Sequence, residues 1–228
     1  MHAPDLAYLR RIRASRDPRT LLLERQFLAA QDLFFSVVAD LRGSVDFDVA
    51  DMREVHAVAA LGDVKGLSVL DVGCGSTEGY VLDDTFRDRY PPFFAEMMAK
   101  RGAHVTGTDI RPNPTAGYDH RVLDCTEKNW TKTLKAPYDI VTALSLFNAP
   151  GSPFEHDAAL CDRVLDDMRA LVKPDGLLMV TLRDDLFDPA SSDEERDARV
   201  EEYIVARKLR LLFCDGNCAW LTSQAPSS

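Results

Sequence analysis

The chain has 228 residues, enough for one domain with its own core and too few for a second of full size, and it carries 37 acidic against 27 basic side chains for a net charge of −10. No stretch approaches the roughly 20 consecutive apolar residues of a membrane span, so no membrane partner is expected. A negative surface repels a phosphate backbone, which favours small molecules over nucleic acid as partners and is compatible with a homodimer. Five cysteines without a C-x-x-C pair argue against a zinc site or a dithiol redox centre, so no metal is expected and a reducing cytoplasm is the simplest location. Arg10, Arg11, Arg13, Arg16 and Arg19 are accompanied by Asp5 and Asp17 and by no apolar signal core, so they read as an exposed helical face.

Taken in chain order, apolar residues recur at helical spacing from about 19 to 41, through Phe27, Phe34 and Val37, with Gly43 placed to stop the helix. A second helix is predicted from about Asp48 through Met52, Val55 and Val58 to Gly62. The period then changes. Residues 67–72 form a short apolar run ending in Gly73-Cys74-Gly75, the pattern of a buried parallel strand entering a glycine turn. Similar runs follow at 104–109, 138–144 and 176–182, separated by helical patterns at 93–101 and 158–172. Strands alternating with helices imply right-handed crossovers and a parallel sheet covered on both faces. The tail departs from this alternation. Ser192 with Glu195 makes a capping box for a helix to about Arg207, and residues 210–214 and 219–223 then bracket Asp215-Gly216-Asn217 as an antiparallel hairpin.

The loop Asp71-Val72-Gly73-Cys74-Gly75-Ser76, Asp109 at the end of the second strand, Asp124-Cys125 after the next short strand and the closing hairpin resemble, in this order, the class I S-adenosylmethionine-dependent methyltransferases. The resemblance covers about residues 67 to 223. It implies an α/β, Rossmann-like, doubly wound and mostly parallel seven-stranded sheet whose last strand is antiparallel. Residues 1–62 then form an N-terminal helical extension or lid, and 63–228 a catalytic domain whose cofactor is S-adenosylmethionine.

The residue chemistry suits that cofactor. Gly73 and Gly75 remove side chains where the backbone must turn sharply and approach a ligand, and Asp109 suits a ribose diol, since one carboxylate accepts from both hydroxyls. By resemblance, Asp124 accepts from the adenine amino group, the Cys125 amide meets the ring, and Asp71 helps to hold the amino-acid end. The cofactor-binding candidates are therefore Asp71, Gly73, Cys74, Gly75, Tyr80, Asp109, Ile110, Asp124, Cys125 and Ser145. A nicotinamide dinucleotide is disfavoured, because its G-x-G-x-x-G fingerprint would place a small residue where this chain has Glu78, whose carboxylate competes with a pyrophosphate.

Residues 77–90 lengthen the connection between the glycine turn and the next helix beyond the family's habit. They read either as an inserted surface loop or as a flap whose Tyr80, Phe86 or Tyr90 faces the sulfonium. Catalytic candidates are His156, by its ordinary pKa range, and Asn148, from the loop after the fourth strand. Three functions follow. The first is methyl transfer to a small molecule. The second is a non-methylating use of the same cofactor, by cyclisation to azetidine-2-carboxylate with release of methylthioadenosine or by aminobutyl transfer. The third is non-catalytic binding.

Overall fold

A computed structural model describes residues 29–30, 32–37, 40, 52–77, 80–81, 87–88, 91–144, 146–147, 152–154, 157–180, 206, 209–214 and 219–223. Its elements are α1 (Met52–Ala60), β1 (Ser68–Val72), β2 (Tyr80–Val81), β3 (Arg87–Asp88), α2 (Phe93–Lys100), β4 (His104–Asp109) and β5 (Asp119–Val122). A 3-10 turn (Trp130–Thr133), β6 (Tyr138–Ala143), α3 (Ala158–Ala170), β7 (Val172–Val180), β8 (Leu209–Cys214) and β9 (Ala219–Ser223) complete the order.

Five strands form one sheet in the order β5-β4-β1-β6-β7, and every neighbouring pair is parallel. The chain winds outward from β1 to β4 and β5, then crosses back to β6 and β7, so the order reverses beside β1. In open α/β sheets, ligands bind at the carboxyl ends of the strands at that reversal, which is where the glycine turn after β1 lies. β8 and β9 form an antiparallel hairpin, with β9 alongside β7. The seven expected strands are thus described as five in one parallel ladder and two in a separate hairpin.

Strand alternation sorts the core into two layers. Val69, Val105, Ile140 and Met179 pack with Val55 and Val58 of α1, with Phe93, Phe94, Met97 and Met98 of α2, and with Ala30, Phe34 and Val37. Those last three lie in the predicted 19–41 helix, whose described residues 29–30, 32–37 and 40 are helical. Leu70, Val72, Val141, Ala143, Leu178 and Val180 face the other way, onto Cys161, Val164, Leu165 and Met168 of α3. The i, i+3, i+4, i+7 spacing of this last set gives α3 one apolar stripe, and the Asp157 carboxylate caps its first turn by accepting from Leu160 N at 2.9 Å.

Two elements differ from the sequence pattern. β7 begins at Val172 rather than 176, because its ladder with β6 jumps from the pair Tyr138 and Val172 to the pair Ile140 and Leu177. Pro174, which has no N–H to give, sits in the resulting bulge. The 77–90 insertion pairs with itself, Tyr80 against Asp88 and Val81 against Arg87, as a short antiparallel ladder rather than an irregular loop. Gly43, the helix start at Ser192 and the Asp215-Gly216-Asn217 turn lie outside the described residues.

Candidate functional site

The parallel registers set Asp71 beside Gly107 of β4 on one side and Thr142 of β6 on the other. The period of two puts all three, and Asp109 two residues beyond Gly107, on the face covered by α1 and α2. Asp71 is 2% exposed, and its Oδ1 accepts from the Thr142 hydroxyl at 2.7 Å. Burial pushes its carboxyl up to about 7, against the opposing pull of the Thr142 bond and with a further push from Asp109.

Beyond Asp71 the chain turns through Gly73 at φ 67° and Gly75 at φ 91°, both in the left-handed region where a side chain is strained. A Cβ at Gly73 would also lie 2.7 Å from Leu146 Cδ1, so the bare backbone here accommodates a neighbour from the loop after β6.

The turn is lashed to the connection between β4 and β5. Cys74 N donates to Thr108 O at 3.0 Å, the Ser76 hydroxyl to Pro112 O at 2.7 Å, and the Thr77 hydroxyl to Asn113 Oδ1 at 3.0 Å. Asp109 joins the two loops directly, accepting from Gly75 N at 3.0 Å through Oδ2 and from Arg111 N at 2.9 Å through Oδ1. The sequence suits this carboxylate either to a ribose diol or to capping the turn before Pro112, and the Arg111 bond is of the second kind. It is also the fastener of the glycine turn, and each oxygen keeps a second lone pair for a ligand hydroxyl.

Behind the turn, the Tyr118 ring and the Cys74 sulfur fill the space that a side chain at Gly107 would occupy, with Sγ 2.8 Å from the site of a Cβ. Tyr118 Oη and His120 Nδ1 each lie 3.6 Å from Cys74 Sγ, and Asn113 Nδ2 donates to Tyr118 Oη at 3.3 Å. His120 Nε2 is 2.9 Å from Arg111 O, a carbonyl that can only accept, so Nε2 donates there, and the Cys74 thiol donates to Gly75 O at 3.5 Å. Burial, reinforced by Asp71 and Asp109, pushes the Cys74 thiol well up, so it stays protonated and packs rather than reacts. Neither Thr142, Asn113 nor Tyr118 was singled out from the sequence, although a glycine inside an apolar strand, as at Gly107, is a signal of close approach.

The second half of the crevice follows β5. Asp124 is exposed, and its Oδ1 accepts from Thr126 N at 2.8 Å and from the Thr126 hydroxyl at 2.6 Å, which closes a tight turn. Cys125 is buried, and burial, then Asp124, pushes its thiol up to about 12. Ile110, next to Asp109, leaves 56% of its surface exposed at the sheet edge of the crevice. Ser145, Asn148 and His156 lie outside the described residues, as does the side chain of Tyr80, whose main chain forms part of β2.

These residues fit S-adenosylmethionine on chemical grounds. Among the described residues, neither Asp71 nor Asp109 has a Lys or Arg ion-pair partner. A crevice rich in carboxylates suits a ligand carrying a sulfonium and an ammonium group and repels a pyrophosphate. Ile110 adds an apolar surface for a purine.

A family model described as a methyltransferase domain matches residues 46–220. Two curated relatives are ubiquinone biosynthesis O-methyltransferases. That of Actinobacillus pleuropneumoniae serotype 7 is 28% identical over 126 residues, which is 50% of this chain and 44% of the relative. That of Aeromonas salmonicida is 26% identical over 129 residues, 53% of this chain and 44% of the relative. The chain thus matches less than half the length of either. Among solved structures, the fibrillarin pre-rRNA processing protein of Methanococcus jannaschii superposes over 82% of this chain and 85% of its own, with a TM-score of 0.52 at 10% identity, a likeness of fold.

Proposed function

We propose that this chain, which belongs to the methyltransferase-domain family, transfers the methyl group of S-adenosylmethionine to a small-molecule acceptor. The observation that carries the reading is the Asp109 carboxylate, which is 6% exposed and bridges the glycine turn and the β4–β5 connection beside the half-exposed Ile110. Bare backbone at Gly73 and Gly75 takes the amino-acid portion of the cofactor, Asp109 accepts from the ribose, and Asp124 with the Cys125 amide reads the adenine. Asp71, bonded to Thr142 beneath the turn, helps to hold the amino-acid end. When bound, S-adenosylmethionine supplies an electrophilic methyl on a leaving group that needs no protonation, so the protein's part is to position the acceptor and exclude water.

A small acceptor is supported by the net charge of −10 and by the relatives named for ubiquinone biosynthesis. With a hydroxyl acceptor, His156 is the proposed general base, and Asn148 is the second residue proposed to act on the substrate. Residues 1–62 are read as a helical extension, whose Ala30, Phe34, Val37 and α1 pack on one face of the sheet, and the free, buried thiols of Cys74, Cys125 and Cys161 accord with a cytoplasmic location.

The test joins binding to product analysis. Calorimetry is expected to give saturable binding of S-adenosylmethionine, and Asp109→Ala to weaken it about tenfold or more, about 1.4 kcal/mol per decade. Mass spectrometry of a turnover is expected to give S-adenosylhomocysteine with a methylated small molecule. Methylthioadenosine without a methylated product would instead establish a cyclising or aminobutyl-transferring enzyme, and a folded Asp109→Ala with unchanged affinity removes the ribose role.

A further inference from the structure

The turn after β5 carries both residues assigned to the adenine, and only Cys125 of residues 124–127 is buried in the core. Three successive carbonyls of this turn converge on one guanidinium. Arg163, on the second turn of α3, donates through Nη2 to Thr126 O at 2.6 Å and to Cys125 O at 3.5 Å, and through Nη1 to Glu127 O at 3.4 Å. A planar fork of fixed donors can span several carbonyls at once, which a point-like ammonium cannot.

The guanidinium is itself held from behind. Arg163 Nη1 meets Asp167 Oδ2 at 3.2 Å, one helical turn along α3, and the same oxygen accepts from Trp130 Nε1 at 3.0 Å. Trp130 is 4% exposed, so the chain of contacts is rooted in the core on the α3 side. Peptide planarity carries the constraint forward. Fixing the carbonyls of Cys125 and Thr126 fixes the peptide planes on either side of Thr126. The Asp124 carbonyl, which accepts from Glu127 N at 3.2 Å, fixes the plane that carries the Cys125 N–H. Asp124 Oδ1 is taken by Thr126, and Oδ2 makes no described hydrogen bond.

We infer that Arg163 is a positioning residue for adenine recognition: its guanidinium gathers the carbonyls of residues 125–127, and this aims the Cys125 amide and the second Asp124 oxygen at the edge of the base. The inference rests on the S-adenosylmethionine reading above. Arg163 touches no part of the cofactor and acts through the turn.

The experiment titrates the full chain, Arg163→Ala and Arg163→Lys by calorimetry with two ligands, S-adenosylmethionine and the analogue in which hydrogen replaces the adenine amino group. Wild type is expected to prefer S-adenosylmethionine about tenfold, as one hydrogen bond to a carboxylate allows. Arg163→Ala is expected to lose most of that preference while binding the analogue almost as wild type does, and in turnover to raise the KM for S-adenosylmethionine with kcat little changed. Arg163→Lys, which keeps a cation for Asp167 but not the fork, is expected to retain an intermediate preference. Equal weakening of both ligands, or an undiminished preference in the variants, overturns the positioning role. Should Arg163→Ala not fold, Arg163→Lys decides by the same criterion. A wild-type chain that binds neither ligand overturns the cofactor reading itself, a result distinct from variants that merely match a wild type that binds.

Discussion

Asp71 and Asp139 lie on the same pair of adjacent strands, and their surroundings are opposite. Asp139, at the amino end of β6, accepts from Ser68 N at 2.8 Å, the Ser68 hydroxyl at 2.7 Å and Lys173 Nζ at 2.7 Å, so one carboxylate ties the starts of β1, β6 and β7. The Lys173 bond, then those from Ser68, hold it down at about 2. Asp71, three residues along β1 from Ser68 and so roughly 10 Å away, has one hydroxyl partner and a carboxyl pushed up to about 7 by burial. The amino end of the sheet is fastened by satisfied charges near water. The carboxyl end keeps a buried carboxyl that opposes folding when ionised, and such groups collect where ligands bind.

Removing the charge from the costly end should have the largest effect. The folded Asp71 carboxyl titrates higher than its unfolded value of 3.8, so its contribution to stability is fully present below about pH 4 and is lost as the pH rises to about 7. Asp71→Asn is therefore expected to match wild type near pH 4 and to exceed it by on the order of a few kcal/mol at pH 8, with weaker S-adenosylmethionine binding. Urea melts across that range check it, and a pH-independent difference would show that burial of the charge is not the cause.

A smaller effect is expected from crowding the same end. Gly107→Ala pushes a methyl into Tyr118 and Cys74, and overpacking of this kind costs about 1 to 3 kcal/mol. Because Tyr118 and Asn113 brace the turn, cofactor affinity should fall with stability, and a variant as stable as wild type by thermal melting would dissolve that brace.

The smallest effect is expected at the fastened end. Lys173→Met removes a partly exposed ion pair, a loss of about 0.2 to 1 kcal/mol that shrinks with added salt. Asp139 is held below its unfolded value, so the pair's contribution is present above about pH 4 and fades as the pH falls towards 2. S-adenosylmethionine affinity should stay at the wild-type value. A change there would mean that the two ends are coupled.

How much of this was legible depends on how local each cause is. The buried strands, the helical stripe of α3 and the turn at Gly73 and Gly75 follow from periodicity and from residues with special backbone freedom, so the sequence alone determined them, along with the family resemblance carried by Asp71, Asp109 and Asp124. The 77–90 ladder was not legible, because two-residue strands leave no periodic trace. The start of β7 was missed because Pro174 masks a strand that continues past its bulge.

Other features exist only because strands distant in sequence lie in register. Nothing near Asp71 in the chain announces that Thr142 is its partner, that Gly107 opens room for Tyr118 and Cys74, or that Asp109 accepts from the Gly75 amide. Arg163 is 37 residues from Thr126, and no local pattern around it announces that it meets the turn after β5. Local pattern determines which elements form and which faces they bury. Which polar groups meet at the end of the sheet is decided only when the parallel ladder sets β1, β4 and β6 side by side and α3 closes over the turn after β5.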